Sequence, residues 1–321
     1  MNADSPAASS PVSASPVRVS VVIPVRNDPV RLRRCLRALE AQTLDAHAFD
    51  VWVVDDKSDE PIDDLIAEFP HARLIRLETD IGGAFAARNH ANALTTAPVI
   101  ACTDADCVPD ARWLESGLAA LDRLDGLGMV TGDVQSFYPD PDRPNGAAVF
   151  DAVLAFPQES YVKRDGFGVT ANLLVPRPVL DAVGPFNERA MDGGDMDFGR
   201  RATAMGIPTA YDAGVIVAHP TRRDARAIRY KWDRSAKSLE WFRRTADPTA
   251  APGPRHGPAY YLKPRLGLMV RVLRDRRLGP LLARLSACAL ILQQRPLTLY
   301  YAWRARRMSD QHLIGRYDTI N

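Results

Sequence analysis

Apolar residues in the first third of the chain alternate between short continuous runs and segments with helical spacing. Val17–Pro24 is a largely apolar run, typical of a strand that is buried on both faces. A turn follows, and Asp28 and Pro29 are a suitable cap and first residue for a helix. A second buried strand is predicted at Val51–Val54. The helix between the two strands has its apolar positions at Leu32, Cys35, Leu36 and Leu39.

The same alternation continues through the next units. The pattern predicts a helix around Asp59–Phe69, a strand at Ala72–Leu77, a helix at Ala84–Thr95 and a short strand at Val99–Cys102. Strand and helix in regular succession are typical of a parallel sheet with right-handed crossovers. We therefore expect an α/β fold with a doubly wound, mostly parallel sheet and helices on both faces.

The composition is that of an ordinary globular protein, because 46% of the 321 residues are apolar and 25% are charged. This length can bury a large core in one domain or two. The four cysteines form no C-x-x-C pair and three lie in apolar segments, so we expect reduced, buried thiols.

The first 16 residues are rich in Ala, Ser and Pro, and they lack the basic start and apolar core of a signal peptide. We expect them to be disordered. The sequence has no run of about 18 uninterrupted apolar residues, so no transmembrane helix is expected. The expected location is cytoplasmic, or peripheral at the inner face of the plasma membrane.

Charge divides the chain into two unlike parts. Residues 1–220 hold 19 Lys and Arg against 32 Asp and Glu, a net charge of −13, whereas residues 221–321 hold 22 against 7, a net charge of +15. Such asymmetry indicates an anionic partner for the basic part. The alternative is that the basic part docks on the acidic one.

The basic part has its own pattern. Basic and aromatic residues alternate between Arg222 and Arg244, and Pro248–Pro258 predicts a mobile loop. Leu281–Leu292 predicts an apolar helix that is too short to cross a bilayer. Flanking arginines and aromatic residues suit an anionic membrane surface, whereas nucleic acid is not expected because an apolar helix has no use on a phosphate backbone. Burial against the body or in a dimer would explain the helix equally well.

Acidic residues follow two of the predicted strands. Asp55 and Asp56 come directly after the second strand, and Asp104 and Asp106 come just after Val99–Cys102. The carboxyl ends of parallel strands meet at one edge of a sheet, where ligands bind in open α/β folds. Carboxylates there suit a Mg²⁺ or Mn²⁺ ion carried by a diphosphate. Taken alone, either pair also fits an ordinary turn.

Glycine-rich phosphate loops are missing from the sequence. No G-x-G-x-x-G follows the first strand and no G-x-x-x-x-G-K-[ST] occurs anywhere. A bound diphosphate would then be neutralised by a metal ion and by basic side chains. A sugar nucleotidyltransferase would need a glycine-rich loop where this chain has Pro24–Asn27.

Six segments resemble motifs of the family-two glycosyltransferases, in the same order. The first four are Val19–Asn27, Val53–Asp59, Gly82–Asn89 and Thr103–Asp106. The later ones are Gly168–Arg177, which resembles a Gly-x-Asn segment, and Val183–Glu188, which resembles a Gly-Phe-Asp-Glu stretch. The resemblance covers roughly residues 17–220 and implies an inverting enzyme of the GT-A fold, with a nucleotide-binding half (17–110) and an acceptor half (111–220). Residues 221–321 would form a basic, mostly helical C-terminal region.

The resemblance also implies roles for individual residues. Met191–Arg201 resembles the Gly-Glu-Asp-x-Asp-Leu motif, which gives Asp195 the place of the catalytic base and Asp197 that of the following acid. Asp56 would hold the nucleotide base, and Asp106 would ligate the metal at the diphosphate. Nucleotide-sugar contacts are implied for Pro24, Arg26, Asp55, Asp56, Arg88, Asp104 and Asn172, and metal contacts for Asp104, Asp106 and His219.

Several of these roles have a structural alternative. Arg88 could form a surface salt bridge, Asp195 could be only a helix N-cap, and His219 could be a surface residue. We expect Asp195 to be ionised near pH 7, helped by the helix dipole. The sequence departs from the family pattern at Gly194, where a Glu is usual, but it keeps one carboxylate that can take the acceptor proton.

The function implied is inverting transfer of a sugar from a nucleotide-diphosphate sugar to a hydroxyl of a saccharide or lipid-linked acceptor, with Mg²⁺ or Mn²⁺. The setting would be the biosynthesis of a cell-surface polysaccharide, a glycolipid or another glycoconjugate. Two other classes stay open at this point: a catalytically silent nucleotide- or membrane-binding module of the same fold, and a sugar nucleotidyltransferase.

Overall fold

The computed structural model describes residues 17–79, 81–245, 260–261 and 263–314. The predictions for residues 1–16 and for Pro248–Pro258 lie outside the described residues. The strands are β1 Val19–Val25, β2 Phe49–Asp55, β3 Ala72–Arg76, β4 Val99–Cys102, β5 Val108–Pro109, β6 Met129–Phe137, β7 Leu173–Pro176 and β8 Thr209–Pro220. The helices are α1 Pro29–Glu40, α2 Asp63–Ala67, α3 Ala84–Leu94, α4 Trp113–Asp122, α5 Gly146–Leu154, α6 Gln158–Asp165, α7 Arg177–Val183, α8 Gly194–Ala204, α9 Ala225–Thr245, α10 Leu266–Arg274, α11 Leu281–Ala305 and α12 Asp310–Leu313.

Within the described residues, the strands form one sheet of eight in the order β3-β2-β1-β4-β7-β6-β8-β5. Strands β1 to β4 run parallel to one another. β7 runs antiparallel to both β4 and β6, and β5 runs antiparallel to β8. β6 and β8 are parallel. The predicted mostly parallel α/β sheet is therefore confirmed.

The sheet is covered on both faces, and β1 shows why. Val21 and Ile23 pack into one core with α1, α2 and α4, whereas Val22 packs into a second core with α3, α7 and α8. Successive residues of a strand point to opposite faces, so an apolar run with both faces buried is the expected pattern for such a strand. All four cysteines are buried and free, as predicted.

The described C-terminal helices pack against the body. Trp241 and Phe242 of α9 lie in the second core, and Leu313 of α12 returns to the same core with 0% exposure. α11 packs against α5 and α9 in a third apolar cluster. The guanidinium of Arg244 fastens the end of the described chain, because it donates to the carbonyls of Arg306 and Met308. For these helices the structure favours docking on the body.

Helix α11 differs from its prediction. It continues to Ala305, well beyond the predicted end at Leu292, although Pro296 lies inside it. Proline removes one backbone hydrogen bond, but Leu297 and Tyr301 continue the packing against the third cluster. This packing holds the helix together through the proline. None of the helices in the described residues is long and apolar enough to cross a membrane.

Candidate active site

The carboxyl ends of β1, β2 and β4 lie side by side because β1 pairs in parallel with both of the others. Val25 at the end of β1 is level with Asp55, and Cys102 at the end of β4 is level with Val22. The two acidic strand ends therefore share one edge of the sheet, as predicted. The space outside this edge, called the crevice below, is where open α/β sheets bind ligands.

Asp55 and Asp56 at the end of β2 have different hydrogen-bond partners. One oxygen of Asp55 accepts a hydrogen bond from the N–H of Ser58 at 3.0 Å, which is the turn role considered from sequence. Oδ2 of Asp56 accepts from the N–H of Gly83 at 2.7 Å, whereas its buried Oδ1 has no hydrogen-bond partner among the described residues. Burial raises the pKa of Asp56. A buried acceptor without a partner is unusual, so Asp56 is the member of the pair suited to a ligand donor.

The end of β1 places Arg26 beside Asp56. Burial raises the pKa of Asp56, and the positive charge of Arg26 lowers it in part. The Nε of Arg26 is buried without a hydrogen-bond partner in the described part of the chain. Pro24 lies inside β1, level with Val54, and is buried. The residues that reach the crevice therefore begin after Val25.

Four side chains form a group that could hold a cation. Asp104, Asp106, Cys107 and His219 each offer one ligand atom, and these atoms lie within 4.8 Å of one another. Strand β5 brings them together, because Val108 pairs with Ala218 and so sets His219 beside the turn after β4. Burial raises the pKa of the Cys107 thiol well above its usual range, so it stays a neutral thiol and a poor ligand. Two carboxylates and an imidazole fit Mg²⁺ or Mn²⁺.

The orientation of His219 suits a metal ligand. Its Nδ1 lies 2.7 Å from the carbonyl oxygen of Pro220, which can only accept, so Nδ1 carries the hydrogen. In the neutral imidazole the lone pair is then on Nε2, which lies 3.7 Å from Oδ1 of Asp106. A metal-bound histidine usually donates a hydrogen bond from its other ring N–H in this way. His219 is also buried, which removes the alternative of a surface residue.

Arg31 is a neighbour of the cation group that the sequence did not suggest. Its guanidinium lies 3.3 Å from Oδ2 of Asp106 and also pairs with Asp28 at the start of α1. Both carboxylate oxygens of Asp106 are thus fixed, one toward Arg31 and one toward His219. The arginine holds the carboxylate in place without occupying the side that faces His219.

Arg88 lies on α3 between the two acidic regions of the site. Its side chain is 1% exposed and forms an ion pair with Asp104, so the alternative of a surface salt bridge is wrong. Burial raises the pKa of Asp195, and the positive charge of Arg88 opposes part of that rise. A buried arginine without carboxylate partners would be very costly. Arg88 therefore links the metal side of the crevice to the predicted base.

Asp195 is the second residue of α8, whose N-cap is Gly193, so it is not the N-cap itself. The N–H of Met196 donates to its Oδ1 at 2.8 Å, and Thr170 supplies a further backbone hydrogen bond. Burial and the nearby Asp192 raise the pKa of Asp195 to about 6. The expected help from the helix dipole is therefore outweighed by burial, which brings the pKa of this carboxyl close to neutral pH.

Thr170 connects this carboxylate to the metal side. The hydroxyl of Thr103, the residue before Asp104, donates to the carbonyl of Ala171 at 3.1 Å. The adjacent residues Thr170 and Ala171 therefore contact both sides of the site: Ala171 binds Thr103 before the acidic turn of β4, and Thr170 binds Asp195 at the start of α8. Asp197, the following acid, pairs with Arg201 at 3.0 Å and is occupied by that contact.

Gly194 is tightly enclosed. A Cβ at this position would come within 2.7 Å of the ring of Phe85. That ring is buried and stacks on Phe186 at a centroid distance of 5.8 Å, so it has little room to move. The glutamate that the family usually carries here would not fit beside Phe85.

Two asparagines of the motifs have structural roles. Asn172 is fully buried, and its amide accepts from the indole of Trp113 and donates to the carbonyls of Asp133 and Val215. These three hydrogen bonds use the amide oxygen and both N–H groups of Asn172. They leave no N–H group of this side chain for the nucleotide sugar, which the resemblance had implied as its partner. The amide of Asn89 ties α3 to the loop before α8 through Phe186.

A lysine from the C-terminal region completes the surroundings of the site. Lys231 of α9 lies 5.5 Å from the ring centroid of Phe156, and that ring contacts His219 at 4.7 Å. Burial and the charge of Arg222 lower the pKa of Lys231 to about 8, while Asp192 raises it. The ammonium thus lies between the side chains that could hold a cation and the loop before Asp195. No local pattern could reveal this position, because helix packing creates it.

The fold and the site together define a sugar transferase of the GT-A type. A family model for glycosyl transferase family 2 matches residues 20–167. The glycosyltransferase AglE of Haloferax volcanii is 31% identical over 207 residues, which are 64% of this chain and 67% of that protein. The chain therefore belongs to glycosyl transferase family 2.

Other similar proteins cover the chain less evenly. The validoxylamine A glucosyltransferase of Streptomyces hygroscopicus subsp. jinggangensis is 28% identical over 223 residues, covering 59% of this chain and 52% of that protein. This chain thus spans about half the length of that relative. Among solved structures, the mannosyltransferase PcManGT from Pyrobaculum calidifontis, in complex with GDP-Man and Mn²⁺, has a similar fold. Its TM-score is 0.55 at 17% identity, covering 95% of this chain and 82% of the other.

Proposed function

We propose that this glycosyltransferase moves a sugar from a nucleoside-diphosphate sugar to an acceptor hydroxyl with inversion, using Mg²⁺ or Mn²⁺. The observation that carries the proposal is the pairing of a cation group with a raised-pKa carboxylate across one crevice, with Arg88 between them. The complex of PcManGT with GDP-Man and Mn²⁺ supports the choice of donor class and metal.

The residues divide into a donor side and an acceptor side. Asp56, with Arg26 and Asp55 around it, would receive the nucleotide base, and Arg88 would fix Asp104 near the ribose. Asp104, Asp106 and His219 would hold the cation. When bound, the cation neutralises the diphosphate and makes it a better leaving group. Asp195 would take the proton of the acceptor hydroxyl as that oxygen attacks the sugar carbon.

Without a glycine-rich phosphate loop, a bound diphosphate would be neutralised by a metal ion and by basic side chains. Lys231 would be one of these side chains. Its position beside Phe156 and His219 suits the negative charge of the departing diphosphate. The acceptor would be a saccharide or a lipid-linked sugar in glycoconjugate biosynthesis. The enzyme would work at the anionic inner face of the plasma membrane, reached through its C-terminal region.

The test is hydrolysis and binding of UDP-, GDP- and dTDP-sugars with Mn²⁺, with Mg²⁺ and with chelator. Asp106→Asn should abolish metal-dependent binding while keeping the fold, and Asp122→Asn, the same change at an exposed acid, should do neither. Metal-dependent binding that survives in Asp106→Asn would overturn the metal assignment. A wild-type protein that binds nucleotide sugar and never turns it over would be a silent module.

Lys231 is tested separately by Lys231→Met, with Lys237→Met on the same helix as control, where Lys237 pairs with Asp233 at 3.0 Å. Loss of one charge-assisted contact to the diphosphate is worth about 1.5–3 kcal/mol, so kcat/KM should fall roughly tenfold to a hundredfold. Equal kinetics for both variants would remove Lys231 from the site.

A further inference from the structure

Helix α11 has one apolar side that faces away from the other described residues of the protein. Its members, called the outer face of α11 below, recur every three or four residues, as one side of a helix does. Between positions 281 and 303, a fully described stretch, the charged residues are Arg284, which is buried, and Arg295, which is half-buried beside the face and donates to the carbonyl of Lys263. Leu282 beside the face is 81% exposed. The outer face consists of Leu281, Leu285, Ala289, Leu292, Pro296, Leu299 and Trp303.

The opposite side of α11 is committed to the protein. Ala287, Leu290 and Ile291 lie in the cluster shared with α5 and α9. Arg284 is buried on that side and donates to the carbonyl of Leu273. A helix fixed along one side can only lie flat against a further partner. The outer face is about 33 Å long, at 1.5 Å per residue, which is far more than one side-chain pocket would cover.

Arginines precede and follow the outer face along the chain. Before α11, the exposed arginines are Arg271, Arg274, Arg276 and Arg277. After it, Arg306 and Arg307 are exposed, and the guanidinium of Arg307 lies 3.7 Å from the ring centroid of Trp303. Tyr300 is half exposed beside that ring. An apolar strip with aromatic residues and cations at its ends is typical of a helix lying in a lipid interface.

Positive charge at both ends also argues against a second copy of the chain as the partner. Pairing two outer faces, parallel or antiparallel, would bring arginines against arginines at each end. Like charges in contact are costly at an interface. An anionic lipid surface offers the opposite charge along the whole length of the face.

We propose that the outer face of α11 lies in the interface of an anionic lipid membrane. The hydrophobic side chains would enter the boundary between headgroups and acyl chains, and the arginines at either end would bind lipid phosphates. α9 lies between this face and the site, since it packs on α11 and its Ser235 and Ser238 contact Asp192 in the loop before Asp195. The assignment of a lipid-linked acceptor at this membrane rests on the proposed function. Binding of α11 to the membrane does not, because it can be measured without turnover.

The experiment is vesicle flotation of the full chain. Vesicles of phosphatidylcholine are compared with vesicles of equal parts phosphatidylcholine and phosphatidylglycerol, at low and high salt. The test variant is Leu285→Glu with Leu292→Glu. The control is Val30→Glu with Leu127→Glu, which places the same charges at exposed apolar positions elsewhere.

Wild type and control should bind the anionic vesicles, with binding that weakens as salt rises. The test variant should lose at least tenfold in partitioning. Equal binding by all three proteins would overturn the assignment, as would the absence of binding by wild type. A wild-type dimer in light scattering that becomes a monomer in the test variant would instead assign the face to self-association.

Nucleotide-sugar hydrolysis is measured on the same preparations without lipid. Equal hydrolysis by all three proteins shows that the substitutions spare the fold. Vesicle binding without hydrolysis in any of them would refute the donor chemistry and leave the membrane surface standing. Hydrolysis without vesicle binding would refute the membrane surface and leave the donor chemistry standing.

Discussion

At the scale of single residues, the site depends on how burial sets charge. Asp195 is the clearest case, because burial and Asp192 raise its pKa to about 6 while two backbone N–H groups and Arg88 oppose the rise. A base with a pKa close to the working pH is both ionised and able to take a proton. Lys231 is shifted in the complementary direction, to about 8, and is protonated at the same pH.

The pH dependence of transfer should show both groups. We expect kcat/KM to fall about tenfold per pH unit below about 6, as Asp195 is protonated, and to fall again above about 8, as Lys231 loses its proton. Asp195→Asn should lower kcat by about 10²–10⁴-fold and remove the acidic limb. Asp197→Asn is the control on the same helix. A near-normal rate in Asp195→Asn would place the base elsewhere.

The same shift predicts an effect on stability. The folded pKa of Asp195 is raised above its unfolded value of about 4, so stability is lost progressively as the pH rises from about 4, and this loss is complete above about 6. Asp195→Asn should therefore raise Tm at pH 8, and the gain should shrink to nothing as the pH falls toward 4. Thermal melts of both proteins across this range test it, and a gain that is independent of pH would contradict the shift.

At the scale of elements, the first four strands and the site edge were predicted from sequence, whereas the contribution of α9 was not. Strand positions are set by local apolar runs, and parallel pairing then fixes where Asp56, Asp104 and Asp106 must lie. Lys231 and Ser238 reach the site only because a helix from a distant part of the chain packs there. The extent of α11 was missed for the same reason, since Pro296 is tolerated only through tertiary contacts.

Helix α9 should act on turnover through the loop before α8. The hydroxyl of Ser238 accepts from the N–H of Asp192 at 2.8 Å, and Ser238 is buried. Ser238→Ala leaves that N–H without a partner, at a cost of about 1–3 kcal/mol, and loosens the segment that positions Asp195. We expect kcat to fall several-fold with donor KM unchanged, and Leu239→Ala, an exposed neighbour, to have no effect. A change confined to donor KM would contradict this role.

At the scale of the whole molecule, the described chain closes on itself. Asn172, Trp113 and the strands around them depend on long-range burial, so a motif could suggest Asn172 as a ligand while the fold uses it as a support. The charge split left two readings open, an anionic partner for the basic part or docking of that part on the acidic one. The described end of the chain returns to the core that holds α8, where Leu313 is buried and Ile314 packs against the same cluster.

This closure predicts a cost at a position far from the site in sequence. Leu313→Ala removes a fully buried side chain, and such changes usually cost about 2–5 kcal/mol. We expect a clear fall in the urea midpoint with an unchanged slope. Leu292→Ala, on the outer face of α11, should leave the midpoint where it was. Equal midpoints for Leu313→Ala and wild type would show that the terminal contact is not part of the core.

The close fit between Gly194 and Phe85 has a consequence for how this site could diverge. A side chain at position 194 requires a smaller residue at position 85, because the two compete for the same space. The two positions should therefore change together in descendants of this sequence. An engineer who wants the missing glutamate would have to introduce Gly194→Glu and Phe85→Ala as a pair, since either exchange alone leads through a strained or hollow intermediate.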